Sequence, residues 1–282
     1  MKSGVSALSV GLCIPTYGRK RELARLLDSL SKQSSLPEQI IIIDQNEPGF
    51  LNSIIKEWID KLPIQHGSVA FRSASKARNY GAQKLTTDII AFPDDDCIFI
   101  ERTIELVKQT FFNNPSFDVI IGQKPIRQAK FSTKTIKPKH LTTVLNLFNA
   151  KAETSNIFCR KSFVIKMPTL FNEHIGPGDQ TSIISNEETD LLIRMLRENA
   201  KIVHCKGILI EHHSSQVSFK RSLKYAEGRY ELIRRQKLGL FYYLINLVQP
   251  LIRLAKHPNL KGLQYCVATM LGRSGLTRLI RH

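Results

Sequence analysis

Ile89-Ile-Ala-Phe-Pro-Asp-Asp-Asp-Cys-Ile98 decides how the rest of this chain is read. Four apolar residues, two of them β-branched and one aromatic, read as a buried strand that stops at the proline. Three consecutive carboxylates at that stop repel one another strongly unless a cation sits among them. A strand's period of two turns Asp94 and Asp96 the same way, so the pair can share one divalent ion and a diphosphate bound to it. Hard oxygen ligands suit Mg²⁺ or Mn²⁺. A solvated acidic turn would carry the same three residues, so the surroundings of the strand must decide between the two.

Towards the N-terminus, strand-like and helix-like patterns alternate. The apolar run from Leu8 to Ile14 reads as a strand ending in a Pro-Thr-Tyr-Gly turn. Leu23, Leu26, Leu27 and Leu30 then recur at the spacing of an amphipathic helix. A buried strand follows over residues 39–43, ending at Asp44, and a second amphipathic stretch surrounds Ile54, Ile55, Trp58 and Ile59. A weak strand is expected near Val69-Ala-Phe71 and a helix over residues 75–85. This rhythm predicts an α/β, Rossmann-like fold: a mainly parallel central sheet with helices on both faces. Ligands of such sheets bind beyond the carboxyl ends of the strands. Pro15, Thr16, Arg19, Asp44 and the residues Asp94, Asp95 and Asp96 therefore belong to one rim.

Beyond Gly122 the rhythm is lost. Gln123 to Lys166 holds 10 Lys/Arg against a single acid, Glu153, and reads as loops and short strands. An acid-rich helix is expected over residues 186–199, then strands over 202–205 and 208–211. A shift to basic, helical composition near Ser214 divides the chain into a catalytic domain over 1–215 and a basic helical tail over 216–282. From Ser214 onward there are 13 Lys/Arg and two Glu, a net charge of +11. Residues 238–252 form an apolar run shorter than the roughly 20 residues that span a bilayer. Arg234, Arg235, Lys237, Arg253 and Lys256 flank it, the composition of a helix lying on an anionic membrane surface. The competing reading is a helix packed on the catalytic domain. Every candidate donor-site residue precedes the boundary, so removing the tail is expected to leave donor handling intact.

Composition narrows the function classes. With 42% hydrophobic and 23% charged residues, the chain is globular, not disordered. Five scattered cysteines without a CxxC pair argue against a disulfide framework and a zinc site. Without a long apolar leader, a cytoplasmic location is expected, peripheral on the inner face of the membrane. The net charge of +17 attracts polyanions. Nucleic acid is not an expected partner, because no nucleic-acid module appears and an acidic rim repels phosphate unless a metal intervenes. A nucleotidyltransferase also uses strand-end carboxylates, but Ile14-Pro-Thr-Tyr-Gly-Arg19 is a poor version of its Gly-rich, basic loop.

Five blocks taken together resemble the family 2 glycosyltransferases, which have the GT-A fold. They are Leu12-Cys-Ile-Pro-Thr-Tyr-Gly-Arg19, the strand end Ile41-Ile-Ile-Asp44, Ala77-Arg-Asn-Tyr-Gly-Ala82 leading into Phe92-Pro-Asp-Asp-Asp96, Glu187-Glu-Thr-Asp-Leu-Leu-Ile-Arg194, and Ile208-Leu-Ile-Glu-His-His213. Each is weak alone; five in order are specific. The resemblance implies an inverting transfer of a sugar from a nucleotide-sugar donor, UDP-linked, to a glycan or lipid-linked acceptor. By the same resemblance Pro15, Thr16, Arg19 and Asp44 would hold base and ribose. Arg78, Asp94 and Asp95 would lie by the nucleotide and donor sugar. Asp96 would ligate Mn²⁺ or Mg²⁺, with His212 as a further ligand, and Glu188 would be the general base. Two departures stand out: Gln45-Asn46-Glu47 replaces the usual acid and Gly-Ser turn, and Glu188 replaces an Asp. Glu187 and Asp190 remain rival bases, since on a helix they share a face from which 188 is turned by about 100°. Adjacent histidines on a strand face opposite ways, so only one of His212 and His213 can reach the cleft.

Overall fold

A computed structural model of the chain describes residues 8–125, 137–212, 218–256 and 258–279. The first half runs β1 (Val10–Thr16), α1 (Lys20–Ser31), β2 (Gln39–Asp44), α2 (Asn52–Trp58), β3 (Ile64–Ser68), α3 (Ala74–Ala82), β4 (Ile89–Ala91), β5 (Cys97–Phe99) and α4 (Thr103–Asn113). Then come β6 (Val119–Gln123), β7 (Lys139–His140), α5 (Val144–Asn149), β8 (Ile157–Arg160), α6 (Lys161–Val164), α7 (Glu187–Arg197) and β9 (Ile202–His212). Four helices close the chain: α8 (Phe219–Arg235), α9 (Gly239–Lys256), α10 (Leu260–Ser274) and α11 (Leu276–Leu279).

The strands form one sheet in the order β3-β2-β1-β4-β8-β6-β9-β5, with β7 also paired to β9. The half from β3 to β4 is parallel throughout, and the other half is mixed, with β8 antiparallel to both its neighbours. Period-two alternation divides the core between the sheet's two faces. Leu12, Ile14, Ile40 and Ile42 pack with Leu23, Leu26, Leu27 and Leu30 of α1. Cys13, Ile41 and Ile43 pack with Ala77 of α3 and Leu191 and Leu192 of α7.

Three sequence expectations need correction. The third strand lies at Ile64–Ser68 and not at Val69–Phe71, because backbone pairing with β2 selects it although only Ile64 along it is buried. The two late strands are one, β9, interrupted by a register shift against β6 between Ile121 and Gln123. The tail is not separable by contacts. Gly228 of α8 lies so close to α7's lead-in that an added Cβ would stand 2.3 Å from Ser185 Oγ. Gln236 donates to Asp190 at 2.6 Å and Ser185 donates to the Tyr225 carbonyl at 3.2 Å. Such contacts were invisible in a basic, polar pattern.

Parallel register sets the rim. Thr16 stands opposite Asp44, and Asp44 opposite Ser68, so three strands end together. Between β4 and β5 the chain turns in a few residues, with the Cys97 amide donating to the Asp94 carbonyl at 3.2 Å. Strand β5 then runs antiparallel to β9 with Cys97 opposite His212. That register carries the histidine to the carboxylate turn.

Candidate active site

A cleft of about 1190 Å³ opens over this rim. Pro15, Arg19, Arg78, Asp94, Asp95, Asp96, Glu188 and His212 all line it. Thr16 and Asp44 are buried just behind it. One Asp44 oxygen accepts from the amide and side chain of Asn46 at 2.9 and 2.7 Å, and the other lies 3.0 Å from His66 Nε2. His213 lies outside the described residues.

Each carboxylate of the turn is paired with at least one cation, and Asp95 and Asp96 share Arg19. Arg78 donates to Asp94 at 2.6 Å, and Thr154 donates to the same oxygen at 3.2 Å. Arg19 Nη1 reaches Asp95 at 3.0 Å and Asp96 at 2.6 Å. His212 Nε2 stands 2.9 Å from Asp96 and 3.8 Å from Asp94, while its Nδ1 is 3.0 Å from Glu153. Hydrogen bonds to Asp96 and Glu153 push His212 up to about 10. Burial raises Asp95 to about 6 against the pull of Arg19. Burial also acts on Asp96, but the His212 hydrogen bond and charge outweigh it and hold Asp96 below the usual range.

Ligand atoms of Asp94, Asp96, Cys97 and His212 all lie within 4.8 Å of one another. Two carboxylates and an imidazole fit a hard or borderline divalent ion. The Cys97 thiol, raised by burial, contributes little beside them.

The second acidic group stands on α7. Asn186 enters that helix at a φ of 73°, in the left-handed region that Asn tolerates better than most residues. The following acids then diverge. Glu187 is buried and pairs with Arg78 at 3.4 Å. Asp190 is buried and accepts from Arg194 at 2.9 Å and from Gln236 at 2.6 Å. Glu188 faces the cleft, accepting only from the hydroxyl of Thr189 at 3.0 Å among the described hydrogen bonds. Burial, then the charge of Glu187, raises Glu188 to about 8.

Several cleft residues escaped the sequence reading. Glu153 was legible only as the lone acid of a basic segment, and nothing tied it to His212. Lys124, 2.7 Å from Glu153, and Thr154 come from the same segment. Arg72 lies over the Tyr17 ring at 4.5 Å, making a flat cationic platform on the β1 side. Arg221, Arg229, Arg253, Lys261, Tyr265 and Arg273 enter from the closing helices, which the sequence reading had placed outside the catalytic domain.

A mixed sheet with a carboxylate turn at its rim and an acid-bearing helix across the cleft defines a GT-A type α/β protein. The model of the family "Glycosyl transferase family 2" matches residues 12–173, and the chain belongs to that family. A mannosyltransferase from Pyrobaculum calidifontis, solved with GDP-Man and Mn²⁺, shares the fold with a TM-score of 0.66 at 12% identity, covering 97% of this chain and 86% of that one. S. aureus TarS 1–349, solved with UDP-GlcNAc, does so with a TM-score of 0.60 at 13% identity, covering 96% and 92%. Among curated relatives, an uncharacterized glycosyltransferase of Haemophilus influenzae is 27% identical over 67% of this chain and 62% of its own length. An O-antigen chain rhamnosyltransferase of Salmonella typhimurium is 22% identical over 73% and 66%. The chain thus spans under two thirds of the length of these two relatives.

Proposed function

We propose that this chain is an inverting glycosyltransferase that moves a sugar from a nucleotide-diphosphate sugar, UDP-linked, to an acceptor hydroxyl. The observation that carries this reading is the pairing of two acidic groups across one cleft. The carboxylate turn suits a diphosphate-bound cation, and of the two α7 acids that line the cleft Glu187 is tied to Arg78 while Glu188 has no such pair among the described residues; Asp190 is tied to Arg194. Solved relatives of the same fold hold UDP-GlcNAc, or GDP-Man with Mn²⁺, which supports this donor class.

Asp94, Asp96 and His212 would hold Mn²⁺ or Mg²⁺, which when bound supplies positive charge to the departing diphosphate. Arg19 and Arg78 hold the three carboxylates in place and lend further positive charge to the same end of the cleft. The platform of Tyr17 and Arg72 offers a stacking surface for the base, with Asp44 behind the rim. Glu188 takes the proton from the acceptor hydroxyl as that oxygen attacks the anomeric carbon. One displacement inverts the anomeric configuration.

The acceptor is proposed to be a lipid-linked glycan met at an anionic membrane surface. Leu240, Phe241, Leu244, Val248, Leu251 and Ile252 of α9 are exposed along one face at helical spacing. The two acids of the described closing helices, Glu227 and Glu231, are both buried, so the outer surface of that region carries cations alone. A second copy would set like charges together on docking there; an anionic lipid surface would not. Among the described residues no helix is long and apolar enough to cross a membrane.

A screen of UDP- and GDP-sugars with Mn²⁺ tests the reading. Release of UDP, with an NMR-assigned product of inverted configuration, is the expected result. Pyrophosphate release would instead favour a nucleotidyltransferase.

A further inference from the structure

The cleft has a second group of charges. Arg229 of α8 and Arg273 of α10 line it, as do Arg253 and Lys261. Arg229 Nη1 and Arg273 Nε are buried and have no hydrogen-bond partner among the described residues. Neither arginine has a carboxylate within ion-pair distance among the described residues. The rest of each side chain is well held: Arg229 lies 4.2 Å over the Phe148 ring, and Arg273 Nη1 donates to the Asn246 carbonyl and Gln249 at 2.8 and 2.9 Å. Burial, and then the charge of Arg273, bring Arg229 down to about 10. Two neighbouring arginines that line a cleft, each with a buried donor left unused, form a geometry that an anion completes. A dianion with several acceptor oxygens matches them better than a single carboxylate.

From this we infer that Arg229 and Arg273 form an acceptor subsite that binds a phosphate or diphosphate group on the molecule being glycosylated. The inference rests on the glycosyltransferase reading and deepens it. The anion belongs to the acceptor and not the donor for two reasons. The donor's diphosphate has its own site at the carboxylate turn, and Arg229 neighbours the proposed base Glu188, where the attacking hydroxyl must lie. The phosphate source is either a diphospho-lipid carrier or a soluble sugar phosphate.

Calorimetric titration of the full chain with inorganic pyrophosphate, in EDTA to silence the metal site, is the first test. Wild type should bind, and Arg229→Gln and Arg273→Gln should each weaken binding about tenfold or more. Arg273→Lys, which keeps the charge and loses the Nε donor, should fall between and serves if the Gln variants do not fold. Arg234→Gln, on the exposed side of α8, should stay near wild type. Equal affinity across all four variants, or no binding by wild type, overturns the subsite. Asp96→Ala separates the two proposals. It should lose metal-dependent UDP binding and keep metal-free pyrophosphate binding. Loss of the latter would put the anion in the donor site and overturn the inference; retained UDP binding would instead count against the donor reading alone. In transfer assays, the Arg273→Gln variant should show about a tenfold higher KM for a phosphate-bearing acceptor with kcat little changed. Comparing a diphospholipid-linked sugar with a soluble sugar phosphate identifies the source. An equal KM for the phosphate-bearing acceptor in wild type and variant, or an equal rise in KM for a neutral glycan, would overturn the inference.

Discussion

Glu187, Glu188 and Asp190 lie within one turn of α7 yet meet three different surroundings, and the proposed role of each follows from them. Arg78 neutralises Glu187, and Arg194 and Gln236 occupy Asp190. Glu188 accepts from the Thr189 hydroxyl and has no arginine within ion-pair distance among the described residues, which under the proposed mechanism leaves its proton affinity to serve chemistry. Glu188→Gln keeps the shape and removes the basicity. Donor binding should survive while kcat falls about 10²-fold or more, as steady-state kinetics would read. If Asp190→Asn or Glu187→Gln is dead while Glu188→Gln turns over normally, the base is misassigned. A base must be deprotonated to act, and burial, then the charge of Glu187, pushes the Glu188 carboxyl up to about 8. The transfer rate should therefore climb as pH rises through about 8 and level off above, and a flat profile from 6 to 9 would contradict that role. At the other side of the cleft, Asp96→Ala should abolish Mn²⁺-dependent UDP binding in calorimetry while thermal melting shows an intact fold. Unchanged metal-dependent affinity would remove Asp96 from the metal site.

At the scale of elements, the closing helices are built for close approach. A Cβ on Gly272 of α10 would stand 2.5 Å from the Leu223 carbonyl and 2.6 Å from Ala226 Cβ, both on α8. Two opposing effects decide what Gly272→Ala does. Helix propensity favours Ala by about 1 kcal/mol. Overpacking against a neighbouring backbone costs about 1–3 kcal/mol. Because one clash is with backbone, which cannot swing aside, the packing cost should win and thermal melting should move down by several degrees. A higher melting temperature would mean that α8 and α10 adjust freely. The same packing reverses the expectation that the tail can be removed harmlessly. Truncation after Ser215 strips Gln236 from Asp190 and uncovers Gly228's contact with the segment leading into Glu187 and Glu188.

For the whole molecule, charge and apolar exposure converge on the outer side of α9 and α10. Each cation near an anionic surface adds up to about 1 kcal/mol, which salt weakens over a Debye length of roughly 8 Å. The exposed row from Leu240 to Ile252 adds a part that salt does not screen. Vesicle flotation should show binding to anionic liposomes that weakens in high salt without vanishing, and little binding to neutral ones. Protein that stays soluble in every condition would leave α9 as a packing element and withdraw the membrane-bound acceptor.

The parallel half of the sheet and its rim were legible because both rest on local periodicity. Leu23 to Leu30 repeat at helical spacing, Ile40 to Ile43 form a continuous apolar run, and acids follow directly on strands. A hydrophobic pattern shows which face of an element is buried, and loop chirality then leaves few ways to stack successive βα units. Three outcomes lay beyond that signal: the pairing of β5 with β9 that brings His212 to Asp96, the meeting of Glu153 with His212, and the entry of Arg229 and Arg273 into the cleft. Each joins residues about 40 or more positions apart through polar groups or sheet register. Polar side chains carry no periodic imprint of their partners, and a lone acid or arginine reads the same whether it faces water or a ligand. The sequence by itself determined most elements of the parallel half, the strand-end rim and the family, because these rest on local periodicity and short motifs. Only tertiary packing decided how each α7 acid is paired, that Glu153 meets His212, and that the basic tail lines the cleft, since none of these contacts leaves a local pattern.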